Sequence, residues 1–125
     1  MSDAQRLLRQ AGTRLQEARA LFEAGLYEGC VARSYYAAFS SARAMLASDS
    51  QFPKSHRGVL HEFGRRYVKT GIVQPGLHVT LARLESKRNL ADYGSGTAIT
   101  KADAVAAIGG AIEILEKATS YVHGG

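Results

Sequence analysis

The sequence predicts an all-α fold, an antiparallel four-helix-type bundle with an additional C-terminal helix that is either shorter or packed on. Three observations carry this. Apolar residues recur at steps of three and four in five separate stretches, and nowhere does the strand-like alternation of apolar and polar residues appear. Glycines, prolines and short polar runs separate these stretches. One stretch, residues 26–47, is apolar over more than half its circumference, so neighbours must cover it on several sides.

The first element is expected over residues 3–24, where Leu8, Ala11, Leu15, Ala18 and Phe22 make a one-sided stripe. Ser2 and Gln5 have the spacing of a capping box, and Gly25 suits a C-cap. In the central stretch, Val31, Tyr35, Ala38, Ala42 and Met45 form the main apolar face, widened by Cys30, Ala37, Phe39 and Leu46. A narrow polar stripe remains: Arg33, Tyr36, Ser40 and Arg43. It is either one wall of a site or a solvated face. The polar run 48–53 ends in Pro53 and reads as a loop.

A third segment is expected over residues 55–70, with Val59, Leu60, Phe63 and Tyr67 on one side and Gly71 as its stop. The fourth starts near Pro75, which suits a first helical turn, and runs to Tyr93 with Leu77, Leu81 and Leu84 as its stripe. A loop with two glycines covers residues 94–99. The fifth segment opens on Thr100 and Asp103, a capping pattern, and continues through Val105, Ile108, Ile112, Leu115 and Val122. Gly109 and Gly110 each cost this helix roughly 1 kcal/mol against alanine, which close approach of another helix would explain. Tyr35, Phe39, Leu15 and Ile112 are expected in the core.

A chain of 125 residues, 46% of them hydrophobic, is read as one domain over 1–125 with a real core. The net charge of +5 permits a polyanionic partner, but the excess is spread along the chain. The single cysteine, Cys30, excludes an intrachain disulfide and a cysteine-cluster metal site. No apolar run is long enough to span a bilayer and none follows the N-terminus, so no membrane association and a cytoplasmic location are expected.

The chemically informative position is Arg88. It continues the stripe Leu77, Leu81, Leu84 by one step and so points into the bundle, where an unpaired guanidinium is expensive. Asp92, one turn later, is the nearest acid, in the less favourable order for a helical ion pair. The pair either pins helix ends or serves a site. His56 and His61 lie five apart, which suits no two-histidine metal site, and no acid cluster adds to them. No metal and no cofactor are expected.

The segments RSYYAAFSSARAML, PKSHRGVLHEFGRRYVKTG and RNLADYG, taken in order, resemble the HEPN family of small bacterial and archaeal helical proteins, and more narrowly its compact subfamily. The resemblance extends from about Leu7 to Tyr121. It implies a helical bundle that dimerises, a minimal nucleotidyltransferase as partner in a toxin–antitoxin pair, and metal-independent ribonuclease activity in active members. The family signature is an arginine, a polar residue, and a histidine four to six positions after the arginine, often with a tyrosine nearby. Arg88 and Asn89 match its start and Tyr93 matches the tyrosine, but the positions where the histidine belongs hold Asp92, Tyr93 and Gly94.

Cleavage of RNA by its own 2′-hydroxyl needs a base, an acid and charge stabilisation of the phosphorane. Arg88 can supply the last, while Asp92 beside an arginine is a poor base. Three alternatives follow. His56 substitutes from the third helix, with Lys54, Arg57, Arg33 and Arg43 drawing in the phosphate backbone; or this member binds RNA, a nucleotide or its protein partner without cutting; or the chain is a purely structural dimeric bundle.

Overall fold

The computed structural model describes residues 1–94 and 98–124, with Tyr93 described by its backbone alone. The helices are α1 (Asp3–Glu23), α2 (Tyr27–Ser48), α3 (His56–Phe63), α4 (Pro75–Tyr93) and α5 (Lys101–Gly124); a π-helical turn, Gly64–Val68, continues α3. Among the described residues there is no strand. Residues 95–97 of the expected glycine-containing loop lie outside the described residues.

The local signals act as their spacing predicts. Ser2 and Gln5 bond reciprocally at the start of α1. At its end Gly25 takes φ +75°, and the bonds Gly25 N–H to Phe22 O and Leu26 N–H to Leu21 O close a Schellman turn. That turn sends α2 back along α1. Thr100 and Asp103 form a second reciprocal box at the start of α5. Asp103 also meets Lys87 of α4 at 3.2 Å, which ties the end of α4 to the start of α5.

Helix α2 packs against α1, α3, α4 and α5. Its expected face, Val31, Tyr35, Ala38, Ala42 and Met45, is fully buried, and Cys30 is buried with it. Burial pushes the Cys30 thiol up from its ordinary pKa, so it sits as a small apolar side chain. Helices α1, α2, α4 and α5 form the bundle, with α5 against both α1 and α4. Thr80 and Leu84 of α4 face Gly110 of α5, and Lys87 faces Asp103, so these two helices run antiparallel.

Three details differ from the sequence reading. The short element is α3 with its π turn, and α5, at 24 residues, is the longest helix. The deeply buried stripe of α5 is Ala104, Ala107, Ala111, Ile114 and Ala118. Ile112 is only partly buried, and Val105 is 53% exposed. The physical reason is size: α5 lies on α2 and between α1 and α4, and small side chains let it approach all three, so its larger residues other than Ile114 turn to the flank. Finally, Ser40 of the polar stripe on α2 is buried, so that edge is not wet along its whole length.

Candidate functional site

Arg88 does point inward. Its side chain is 13% exposed, and its guanidinium carbon lies 4.8 Å from the centre of the Tyr35 ring and 5.7 Å from that of Tyr36. Both distances suit cation–π attraction. Nη1 of Arg88 meets Asp92 at 3.6 Å, the expected pair one turn on. Nε of Arg88 is buried and has no hydrogen-bond partner among the described residues. An unfilled buried donor is costly to a fold.

Tyr35 joins this arginine to His56. Its hydroxyl lies 3.1 Å from Nδ1 of His56, and the His56 ring stacks on Phe39 with centroids 4.1 Å apart. The imidazole is thus held on two sides, with Nδ1 engaged by the Tyr35 hydroxyl. Ser55, not His56, caps α3 through its bond from Gly58 N–H, so His56 is not occupied as a helix cap. The Tyr35 hydroxyl has its pKa pushed up to about 12, first by burial and then by the nearby Glu85 carboxylate, which outweigh the opposing Arg88 charge. Tyr35 therefore keeps its proton at neutral pH and positions its neighbours.

Two grooves meet at His56. One, of about 550 Å³, is lined by Phe39, Arg43, Phe52, Lys54 and His56 among others. The other, of about 860 Å³, runs between α3 and α4 and includes His56, Arg57, His61, Lys69, His78 and Glu85. The π turn shapes this second groove: a Cβ on Gly64 would stand 3.2 Å from Nε2 of His78, so glycine lets α4 approach here. Among the described residues no group of three or more His, Cys, Asp and Glu side chains is placed to hold a metal ion.

The structure brings some expected residues together and leaves others apart. His56, Arg43 and Lys54 share the first groove, and Arg57 lines the second. Arg88 and Asp92 line neither groove and reach His56 only through Tyr35. Arg33 does not join them: it sits 3.6 Å from Glu17 on the α1 side of the bundle. Asn89 is exposed on α4 beside Arg88. The side chain of Tyr93 lies outside the described residues.

Sequence reasoning missed two polar roles. Spacing marks Tyr35 only as core, but a buried tyrosine normally needs a partner for its hydroxyl, and that is the signal the sequence offers. Asp49, in the α2–α3 loop, accepts from Tyr67 at 2.6 Å and from Tyr121 at 2.8 Å, so it ties the π turn and α5 to the end of α2. No local pattern announces that clamp.

Against this geometry, the sequence model of the HEPN domain matches residues 4–121. A protein named "Putative toxin MJ0605" from Methanocaldococcus jannaschii is 37% identical over 91 residues, which are 73% of this chain and 68% of that protein. "UPF0332 protein glr0978" from Gloeobacter violaceus is 38% identical over 92 residues, 74% of this chain and 73% of that one. A "UPF0332 protein" from Archaeoglobus fulgidus is 30% identical over 123 residues, 98% of both chains.

Proposed function

This chain belongs to the HEPN domain family, and from that premise we propose that it is a toxin–antitoxin-type protein that acts on RNA. Residues 1–125 form one such domain, two copies associate, and a minimal nucleotidyltransferase is the cytoplasmic partner. The toxin context is supported by the name of the relative from Methanocaldococcus jannaschii.

The observation that carries the RNA reading is the joint hold of Tyr35 on His56 and Arg88: the hydroxyl meets His56 at 3.1 Å, and the ring lies under the Arg88 guanidinium at 4.8 Å. With Nδ1–H donating to the Tyr35 oxygen, Nε2 of His56 takes the proton of the ribose 2′-hydroxyl. The 2′-oxygen then bonds to phosphorus, and the bond to the 5′-oxygen breaks. A second imidazole, His56 of the other copy, enters the step as imidazolium and gives its proton to that leaving oxygen, ending neutral as the first ends protonated. Arg88, behind the Tyr35 ring, adds its positive charge to the field in which the negative charge develops, and Asp92 holds the guanidinium in place. No metal or cofactor takes part. The test is cleavage of a structured RNA in EDTA by wild type and by His56→Ala: activity in the first and loss in the second are expected. Cleavage that survives His56→Ala removes His56 from the mechanism.

A second reading rests on a specific observation. Arg88 is mostly covered and lines neither groove. On that ground the protein binds an RNA or nucleotide phosphate, or docks its nucleotidyltransferase, without cutting. Tight RNA binding with no cleavage by the wild type decides for this reading.

A further inference from the structure

The loop between α2 and α3 carries an unexplained aromatic ring. Phe52 is 60% exposed, whereas Tyr35 and Phe39 of α2 and Phe63 of α3 are buried. The loop that carries it is held firmly. Gln51 N–H bonds to Leu46 O at 2.8 Å, and Pro53 fixes the next φ. Pro53 also packs so close to α3 that a Cβ on Gly58 would stand 3.3 Å from it. A ring of this size on a fixed loop keeps its apolar area available for burial against a ligand.

Its surroundings are those of a nucleotide. Phe52 lines the 550 Å³ groove together with Arg43 and Lys54, and His56 lies in the same wall. Among the described residues Arg43 and Lys54 make no ion pair, as is also true of Arg57 and other cations of the chain, so both are free to meet an anion. An exposed aromatic face beside unpaired cations is how proteins hold an unstacked base and its phosphate. His56 also lines the groove between α3 and α4, so the path does not end at His56. That continuity fits a strand better than a single free nucleotide.

We propose that Phe52, Arg43 and Lys54 form a subsite for one unpaired nucleotide of the strand, its base stacked on Phe52 and its phosphate held by the two cations. The subsite rests on the RNA reading above and adds to it a residue that positions substrate next to His56.

The probe is a single-stranded RNA oligonucleotide carrying one 2-aminopurine, whose fluorescence is quenched by stacking. Binding is measured at stated salt for wild type, Phe52→Ala, Phe52→Leu and Phe52→Trp. Phe52→Ala and Phe52→Leu are expected to weaken binding by roughly 5- to 100-fold and to lose the quench, while Phe52→Trp keeps both. The Arg43→Ala, Lys54→Ala double variant should flatten the dependence of log affinity on log salt by about 1.4. Unchanged affinity and quench in Phe52→Ala, with RNA bound by the wild type, overturns the subsite and leaves the RNA reading standing. A ribonucleoside monophosphate that binds as tightly as the oligonucleotide overturns the strand as occupant. No RNA binding by the wild type overturns both proposals. Light scattering that shows Phe52→Ala turning a dimer into a monomer assigns the ring to a second copy and overturns the subsite as well.

Discussion

The hydroxyl of Tyr35 meets Nδ1 of His56 at 3.1 Å, although 21 positions separate them in the chain. That one contact joins the middle of α2 to the first residue of α3. It also makes Tyr35→Phe an informative substitution, because the ring under Arg88 stays and only the hydroxyl leaves. Stability should fall by about 0.5–1.5 kcal/mol, the worth of one hydrogen bond. If His56 exchanges protons with RNA, kcat should fall while KM stays near wild type. A fall confined to KM would argue against a positioning role.

The same hydroxyl predicts an alkaline limit. Its pKa is raised from 10.0 to about 12 by burial and by Glu85, against Arg88. The folded state therefore holds this proton more tightly than the unfolded state. The resulting stability is fully present below pH 10.0 and is lost as pH rises from there to about 12. Denaturation midpoints across that window should fall less steeply in Tyr35→Phe than in wild type. Tyr67 and Tyr121 are shifted in the same direction by burial and by Asp49, so the slope should shrink and not vanish. Identical slopes in the two proteins would refute this account of Tyr35.

Phe39 is buried, stacks on His56 at 4.1 Å and lies 5.8 Å from the Tyr35 ring. Phe39→Ala should lower stability by roughly 3–5 kcal/mol through lost burial and a residual cavity. Chemical denaturation measures this directly. A loss below about 1.5 kcal/mol would contradict the packing of α2 described above.

Arg88→Ala removes the cation over Tyr35 and Tyr36 and leaves Asp92 without its partner. The variant should remain folded with about 1–2 kcal/mol less stability. Its affinity for RNA should drop, and the comparison must be made at one stated salt concentration. Arg88→Lys keeps the charge but loses the planar group over the ring, so it should fall between the two. A folded Arg88→Ala with unchanged affinity would confine Arg88 to a structural role.

Gly109 and Gly110 are adjacent on α5 and should respond in opposite directions. A Cβ on Gly109 meets nothing within 4 Å, so Gly109→Ala should stabilise by up to about 1 kcal/mol. A Cβ on Gly110 would stand 2.6 Å from Cγ2 of Thr80, whose hydroxyl is bonded to Gly76 O. Thr80 cannot turn aside without breaking that bond, so Gly110→Ala should destabilise by about 1–3 kcal/mol. Thermal denaturation of the two variants checks both signs. If Gly109 faces a second copy, its substitution should also shift the monomer–dimer balance seen by light scattering.

The sequence by itself determined the helical character, the buried face of α2, the three capping motifs and the inward course of Arg88. These depend on spacing at three and four, on cap chemistry within three residues and on φ, all properties of neighbouring positions. The family was also legible there, because RSYYAAFSSARAML, PKSHRGVLHEFGRRYVKTG and RNLADYG are contiguous motifs. Only the tertiary structure decided that Tyr35 links His56 to Arg88, that Arg33 pairs with Glu17 away from them, and that α5 is buried through alanines with Ile112 at its flank. Each of these depends on how closely two helices approach and how they are rotated. Periodicity gives the apolar face of one helix, but the side-chain volumes of both partners set the distance between them, and that distance selects which residues meet.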